Sequence, residues 1–430
     1  MPRKAKRDLT MEQQLARGPV DLPLLILTLL LLGVGLIMVL SASYATAYYD
    51  SKTSSPLAYA IAQGEYALLG LLVMYAASKF NYHYLRLLAT PLLIAACVLL
   101  VLVLTPLGVR VNGAQRWLHI ALVAGPTFQP SEVAKLAVIL SFAARLCRRD
   151  REKKRKFNRR TRLGRTLEWM DKVGLLELLP YAGILGVIAL LLIKEPHLSG
   201  TILVLMGGAA VLFAGGMLWR WVFIGVGTVV GGVALIILFT PYMTSRVTLW
   251  LDPWSDALGK GYQTIQSLYS IGSGGLLGLG LGQSRQKYLF LPEPENDFIF
   301  SIAVEELGFI GGIMILGLFM FFILRSYWIA LHARDRFGAL TAVGITTLFA
   351  VQVFLNIGVV TNLIPNTGIS LPFFSYGGTA LIIQLAEVGI LLAISRQIPP
   401  PRQDGVEGRV QALRREKKRA ENQKKRNVSK

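Results

Sequence analysis

Long apolar runs recur along the chain, separated by shorter polar or charged segments. About 20 consecutive apolar residues are needed for a helix to cross the hydrocarbon core of a membrane. About ten runs of suitable length are present, which predicts an all-α polytopic membrane protein with as many transmembrane helices. The predicted spans cover residues 21–44, 62–79, 84–106, 130–147, 176–194, 198–217, 221–240, 298–325, 337–360 and 372–395.

The basic residues strongly favour one side of this arrangement. Only eight of the 45 Lys and Arg residues fall in segments assigned to the other side, namely Lys52, Arg110, Arg116, Lys194, Arg246, Lys260, Arg285 and Lys287. By the positive-inside rule the basic side, with both termini, is cytoplasmic. We therefore expect a basic cytoplasmic N-terminus at residues 1–20, a ten-helix membrane domain at 21–397, a basic cytoplasmic loop at 148–175, a long extracytoplasmic loop at 241–297 between helices 7 and 8, and a basic cytoplasmic tail at 398–430.

Composition supports the membrane class. Hydrophobic residues make up 53% of the 430 residues and charged residues only 16%, against about 25% charged residues in soluble domains. The net charge of +20 arises from tracts whose position the topology explains, so no nucleic-acid partner is expected. The basic loop and tail either anchor the topology and attract anionic lipids, or dock a cytoplasmic partner.

Candidate chemistry lies in the segments assigned to the outer side. The 241–297 loop is rich in glycine and aromatic residues, and loops of this length are usually functional or disordered. At its end, Asp297 stands at the entry of an apolar helix, where it is either a helix N-cap or a catalytic group. Glu305 and Glu306 lie further inside that helix, and we interpret them as partners in intramembrane hydrogen bonds or ion pairs.

A second group of polar residues opens the fourth predicted span. Glu132 and Lys135 are three residues apart and share a helix face, so they form either an ion pair lining a polar cavity or a purely structural pair. Arg116 lies upstream in a short polar loop over residues 112–119, where it either meets an anion or anchors at the interface. Breakers between residues 362 and 378 imply irregular backbone, which membranes tolerate only against protein or water. Together these features indicate an outward-facing cavity.

Several motifs together resemble the SEDS family of bacterial peptidoglycan polymerases. They are Gln129–Lys135, Gly272–Gly275, Pro292-Glu293 followed by Asn296–Phe300, Glu305–Gly308 and Pro372–Gly378. The sequences at residues 282–287 and 297–300 resemble the cell-division branch, FtsW and SpoVE, more than the elongation branch, RodA. One departure is visible, because residues 196–200 read Pro-His-Leu-Ser-Gly where many members have Pro-Asp-Leu-Gly. No role of that family Asp can be carried over to His197.

The resemblance implies a ten-helix glycosyltransferase that polymerises lipid II, with the catalytic role on Asp297. It also implies substrate-handling residues in the outward motifs, and the substrate-binding candidates are Glu132, Lys135, Arg246, Arg116, Gln129, Ser131 and Ser375. The implied partners are a class B penicillin-binding transpeptidase and divisome regulators. The implied location is the cytoplasmic membrane at the division septum.

Polymerisation is compatible with a single catalytic carboxylate. The acceptor hydroxyl attacks the anomeric carbon of the donor, and a positioned carboxylate can take its proton. Pyrophosphate leaves without a second carboxylic acid, unlike the leaving groups of many glycosidases.

The departing charge can be stabilised by Lys135, by Arg246 or by a divalent cation such as Mg²⁺ or Mn²⁺. The four histidines show no metal-ligand spacing, so the sequence does not choose between these options. No organic cofactor is expected. Two other functions stay open on the residues alone: a lipid II flippase and a non-catalytic divisome scaffold.

Overall fold

The computed structural model of the chain is a bundle of helices with one small sheet. It describes residues 18–49, 55–111, 114–119, 127–149, 161–217, 247–259 and 261–398, together with scattered residues between 220 and 231. The helices are α1 (Leu22–Tyr49), α2 (Ala58–Lys79), α3 (His83–Val103), α4 (Pro130–Arg149), α5 (Arg162–Val173), α6 (Leu175–Lys194), α7 (Leu198–Ala214), α8 (Tyr262–Ser273), α9 (Ile299–His332), α10 (Arg336–Val360) and α11 (Gly378–Ser395). The strands are β1 (Gly108–Val111), β2 (Ala114–His119) and β3 (Thr127–Phe128).

The prediction of a helical polytopic membrane protein is confirmed. In the part of the chain that the structure describes, seven helices are long and apolar enough to span a membrane: α1, α2, α3, α6, α9, α10 and α11. Helix α7 is apolar but shorter. The predicted span at 221–240 falls largely outside the described residues, and each of the other predicted spans coincides with a described helix.

The strands and the longest connections gather at one end of the bundle, which we call the loop-rich end. Besides the sheet, it contains residues 247–298 and the segment 361–377 between α10 and α11. Trp250 and Asn362 tie these two connections together, since each donates a side-chain hydrogen bond to the backbone carbonyl of the other. The long predicted loop is therefore folded against the bundle.

Helix α4 is the centre of the bundle. It packs against α3, α7, α10 and α11, and most of its residues are buried. Because its neighbours are protein rather than lipid, it can carry Glu132 and Lys135 in its first turns. The fold therefore places the charged motif of the fourth span in the interior.

A small antiparallel sheet joins α3 to α4, in addition to the predicted helices. Strand β2 is its middle strand, with Leu118 aligned with Gly108 on one side and Phe128 on the other. The predicted polar loop over residues 112–119 is therefore wrong from Ala114 onward. Asn-Gly between two short runs is a recognised hairpin signal, but strands this short carry too few alternations to register as a period.

Helix α9 is interrupted at Gly308, whose φ of 73° lies in the left-handed region that favours glycine. The break leaves two carbonyl groups and two N–H groups of α9 without partners inside the helix. Residues 275–280 run beside the break and pair with all four, for example from Leu279 N–H to the Glu305 carbonyl at 3.0 Å and from Phe309 N–H to the Gly275 carbonyl at 2.9 Å. The glycine-rich part of the long loop is thus fitted to the broken helix.

The side chain of Glu305 is fully buried and has three hydrogen-bond donors. They are the hydroxyl of Ser270 at 2.9 Å, the hydroxyl of Ser284 at 2.6 Å and the backbone N–H of Arg285 at 2.9 Å. A buried carboxylate is tolerated when donors of this kind surround it. The interpretation of Glu305 as an intramembrane hydrogen-bonding residue is confirmed.

Glu306 forms a buried ion pair with Lys287. The Lys287 Nζ lies 3.0 Å from Glu306 Oε1 and also donates to the Gly282 carbonyl, and the Ser41 hydroxyl donates to Glu306 at 2.6 Å. The structural interpretation of Glu306 is confirmed as well. Through this pair α9 holds both the long loop and α1.

Helices α2 and α11 approach each other closely at glycines. A Cβ atom on Gly389 would lie 2.6 Å from the Met74 carbonyl oxygen and 2.7 Å from the Ala77 Cβ. Separations this short cannot be relieved by a side-chain rotation because backbone atoms are involved. Small residues that let helices approach are typical of membrane-helix interfaces.

At the end opposite the loop-rich end, the two ends of the membrane domain meet. The N–H of Gly18 donates to the Arg396 carbonyl at 2.6 Å, and the Arg396 side chain donates to the carbonyls of Gly18 and Ser78. The start of the bundle, the end of α2 and the end of α11 are therefore joined at one point.

Replacing Gly389 with alanine is expected to destabilise the bundle by about 1–3 kcal/mol, the usual cost of overpacking. The melting temperature of the purified protein in detergent measures it. Gly183→Ala is the matched control, because a Cβ there meets nothing within 4 Å and alanine favours the helix by up to about 1 kcal/mol. Equal melting temperatures for Gly389→Ala and Gly183→Ala would contradict the close α2–α11 contact.

Candidate active site

Asp297 lies in a turn that leads into α9, and its side chain is half-buried. The N-cap residue of α9 is Phe298, whose side chain makes no capping hydrogen bond. The interpretation of Asp297 as the helix N-cap is therefore wrong. Its catalytic role stays a prediction.

The turn that carries Asp297 is held through its backbone carbonyls by residues from distant parts of the chain. Asn356, buried on α10, donates through Nδ2 to the carbonyl of Asp297 at 2.8 Å and to that of Ile369 at 2.7 Å. The Ser375 hydroxyl donates to the carbonyl of Asn296 at 2.6 Å. These contacts join the turn and the segment between α10 and α11 into one unit, and they give Ser375 a positioning contact.

Gln263 of α8 adds a second connection to the same unit. Its Nε2 donates to the Pro292 carbonyl at 3.3 Å, and its Oε1 accepts from Asn366 Nδ2 at 3.1 Å. Asn366 Oδ1 in turn accepts from the N–H of Gly368 at 3.1 Å. The long loop thus supports the candidate site as well as the break in α9.

The Asp297 carboxylate lies against the backbone of Gly368. A Cβ atom on Gly368 would be 3.2 Å from Asp297 Oδ2, and the φ of 66° at this residue favours glycine. Next to it, the Ser199 hydroxyl of α7 donates to the Thr367 carbonyl at 2.6 Å. The first turn of α7 is therefore a direct neighbour of the segment that borders Asp297.

Glu132 and Lys135 form the ion pair that their spacing predicts. Lys135 Nζ lies 2.8 Å from Glu132 Oε2, and the two side chains are only 3% and 10% exposed. Ser131 is buried beside them, while Gln129 is half-buried and accepts the Glu132 N–H through its carbonyl. The first turn of α4 therefore presents a charged pair inside the bundle.

A third carboxylate, Glu387 of α11, accompanies this pair. It is 4% exposed and lies close enough to Lys135 and Glu132 to interact electrostatically with both. A single lysine therefore faces two buried carboxylates. The lysine can balance the charge of only one of them, so the other needs a proton, water or a ligand.

The connection between α6 and α7 brings two further titratable groups to the cluster. Arg116 of β2 donates to the Pro196 carbonyl. Burial raises the pKa of Glu195 to about 8, with nearby Arg116 opposing the rise. Burial, Arg116 and Lys135 lower the pKa of His197 to about 3. At neutral pH this connection therefore carries a neutral acid and a neutral imidazole beside a guanidinium.

These contacts bring the candidate residues together at the loop-rich end. His197 lies near Lys135, and Ser199, two residues later, contacts the segment that borders Asp297. All the sequence-predicted site residues that the structure describes lie at this end, while Arg246 falls outside the described residues.

Sequence reasoning missed Glu195 and Glu387. Glu387 could have been identified from the sequence, because a carboxylate inside an apolar span usually faces a cavity or a partner. Glu195 could not, since it stands between Lys194 and Pro196 at the end of a predicted span, where a charged residue is usually an interface anchor.

The side chains of the site do not by themselves fit a divalent cation. Among the described residues, no three His, Cys, Asp or Glu side chains are grouped so that they could hold a metal ion. A cation such as Mg²⁺ usually takes substrate phosphates as ligands together with one or two carboxylates. A divalent cation at this site would therefore share its ligands between the described carboxylates and the substrate phosphates.

The fold and the site define a polytopic helical membrane protein with charged groups gathered beneath loops at one end of the bundle. The chain belongs to the FtsW/RodA/SpoVE family of cell cycle proteins, whose sequence model matches residues 22–399. The SEDS resemblance carried by the motifs is thereby confirmed.

Curated relatives match over nearly their whole length. Stage V sporulation protein E of Bacillus subtilis is 43% identical over 87% of this chain and 97% of its own. A probable peptidoglycan glycosyltransferase FtsW of Thioalkalivibrio sulfidiphilus is 39% identical, over 88% of this chain and 90% of its own.

Solved structures share the fold. A chain from a peptidoglycan synthase complex, described as coordinating polymerization and crosslinking, is 30% identical with a TM-score of 0.68, over 89% of this chain and 99% of its own. The rod shape determining protein RodA of Thermus thermophilus is 27% identical with a TM-score of 0.61, over 89% of this chain and 98% of its own.

Removing the charge of Lys135 is expected to destabilise the protein, because Glu132 then stays buried without its partner. Lys135→Met should cost about 3–5 kcal/mol, and Glu132→Gln together with Lys135→Met should recover most of it. Melting temperatures in detergent measure both.

The matched control is Lys172→Met on α5, where the pair with Glu168 is exposed and its lysine is 70% accessible. Its expected effect is below about 1 kcal/mol. If Lys135→Met alone and the double variant have the same melting temperature, Glu132 and Lys135 do not act as a buried pair.

Proposed function

We propose that this protein is a peptidoglycan glycosyltransferase that polymerises lipid II at the outer face of the cytoplasmic membrane during cell division, with Asp297 as the general base. The observation that carries the proposal is the Asp297 carboxylate at the loop-rich end, on a turn whose backbone carbonyls accept hydrogen bonds from three separate parts of the chain. Several curated relatives are named probable peptidoglycan glycosyltransferase FtsW, which supports the reaction class.

The reaction forms one bond and breaks one bond. The hydroxyl of the acceptor sugar attacks the anomeric carbon of the donor, and Asp297 takes the hydroxyl proton. The bond from the anomeric carbon to the polyprenyl pyrophosphate breaks, and its electron pair leaves with the pyrophosphate. Asp297 sits on a turn fixed by backbone hydrogen bonds, which suits a base that must keep its geometry between cycles.

Charge on the departing pyrophosphate calls for nearby cations. Arg116 and Lys135 are the described cations of the cluster, and they approach it from β2 and from α4. Arg246 and a divalent cation are further candidates for this role. Lys135 is paired with Glu132, and Arg116 donates to the Pro196 carbonyl, so both cations are held in place for a phosphate contact.

The orientation proposed here puts the loop-rich end outside the cell and both termini in the cytoplasm. The distribution of basic residues supports it. The contact between Gly18 and Arg396 supports placing both ends of the membrane domain on the same side, since ends that meet require an even number of crossings. A substrate already displayed on the outer leaflet would then meet Asp297 from the correct side.

The proposed partner is a class B penicillin-binding transpeptidase, with divisome regulators beside it at the septum. Support comes from the related structure of a peptidoglycan synthase complex, in which polymerization and crosslinking are coordinated. Strands made by this protein would be the substrate for crosslinking by that partner.

Asp297→Asn is expected to lower glycan synthesis at least about 100-fold, since loss of a general base typically costs that much or more. The assay supplies lipid II to the purified full chain, alone and with its transpeptidase made inactive for crosslinking. Each reaction is run with and without Mg²⁺ or Mn²⁺, and the products are resolved as ladders on a gel.

Asp171→Asn is the matched control, because Asp171 is exposed on α5, away from the loop-rich end. It should give ladders like those of the wild type. Ladders of normal length and yield from Asp297→Asn would remove Asp297 as the base. No ladder from the wild type under any condition would favour a flippase, tested by lipid II translocation in liposomes, or a scaffold.

A further inference from the structure

Glu195 is a buried acid with no visible structural task. It is 1% exposed, and within the described ranges neither of its carboxyl oxygens has a hydrogen-bond partner. A buried polar group left in this state costs free energy. Such a group in a native protein usually serves a ligand, a bound water or a reaction.

Two other buried carboxylates, Glu305 and Glu306, differ from Glu195 because their hydrogen-bond partners are present in the protein. Glu305 is served by three donors, and Glu306 by Lys287 and the Ser41 hydroxyl among others. Those two carboxylates hold the fold together and have their contacts complete. Glu195 is buried to a similar degree, and the described residues give it no such contacts, so it has the capacity to bind a ligand.

Arg116 acts directly on Glu195, and further charged and titratable groups lie near the same connection. Arg116 of β2 lies close enough to interact with it electrostatically and donates to the carbonyl of the next residue. His197 follows in the same connection and is close to Lys135 of α4, which is paired with Glu132. Glu195 therefore stands at the edge of the charged cluster, on the side of Arg116.

We propose that the Glu195 carboxyl group binds the substrate, donating a hydrogen bond to a phosphate oxygen of the lipid-linked sugar beside the Arg116 guanidinium. The inference rests on the proposed function for the identity of that substrate. Arg116 supplies the positive charge, and Glu195 supplies a directed O–H donor. Together they form a phosphate contact on the β2 and α6–α7 side of the site.

The protonation state of Glu195 suits this role. Since burial raises the pKa of Glu195 to about 8, the group is a neutral acid at pH 7 and can donate. Above pH 8 it ionises, loses its proton for donation and repels a phosphate. Binding that depends on it should therefore hold below pH 8 and weaken as the pH rises through that value.

Binding of lipid II to the purified full chain, measured by fluorescence titration between pH 6.5 and pH 9, tests the proposal without requiring turnover. The wild type should bind about tenfold more weakly at pH 9 than at pH 7, because about one molecule in eleven keeps its proton one unit above the pKa. Glu195→Gln keeps a neutral donor, so it should bind within about twofold of the wild type at pH 7 and lose the decline at high pH. Glu195→Ala should bind at least about tenfold more weakly at pH 7.

Glu65→Gln is the control for neutralising a carboxylate, because Glu65 is exposed on α2. It should keep both the affinity and the pH profile of the wild type. The proposal is overturned if Glu195→Ala binds like the wild type, if Glu195→Gln is as weak as Glu195→Ala, or if Glu195→Gln retains the decline at high pH. The glutamine variant keeps the size and neutrality of the native group, so its pH profile decides the question even if the alanine variant misfolds.

A parallel polymerisation assay separates this inference from the proposed function. Wild-type protein that binds lipid II with the expected pH profile but makes no glycan would remove the proposed activity and leave the Glu195 contact standing. Wild-type protein that makes glycan while Glu195→Ala binds normally would remove only the contact. A wild type that does not bind lipid II would overturn both.

Discussion

Burial of two successive carboxylates in one helix is the constraint on which much of this structure depends. Glu305 and Glu306 lie in the interior, where every charge needs donors or a counter-ion. The long loop provides them, including Lys287, because α9 breaks at Gly308 and lets the loop run beside it. The same loop then returns to α9 through the turn that carries Asp297. The long loop therefore both pairs with the buried carboxylates and carries the candidate base, Asp297.

Hydropathy predicted most of the helices because crossing a membrane demands a run of apolar residues that few other structures need. It also found α4, although Glu132 and Lys135 interrupt that run and the helix is surrounded by protein. It did not find the sheet, whose strands are too short to show a period. The role of Asp297 stayed open on the sequence because a helix cap and a catalytic base look the same there. The structure removes the cap from this choice, since the cap of α9 is Phe298, and the catalytic role stays a prediction.

The site was only partly visible in the sequence because its members come from separate helices and connections. Glu132 and Lys135 could be paired because they are neighbours on one helix face. Nothing in the sequence relates Glu195 to Arg116, which are joined only when β2 packs beside the connection between α6 and α7. Glu305 and Glu306 are buried with hydrogen-bond donors, whereas Glu195 is buried and has none among the described residues. This difference can be seen only in the folded structure.

The packing of α2 on α11 has a consequence for how the protein is made. The second helix leaves the ribosome early, whereas its principal neighbour is the last helix of the membrane domain. Until α11 has been inserted, the face of α2 that Gly389 approaches has only lipid or the insertion machinery to contact. The segment that borders Asp297 leads into α11, so until then it has its contacts with α7, α8 and α10 but not its connection to α11. Biogenesis of the site is therefore completed after translation of α11, and a chain that stops before that helix cannot assemble it.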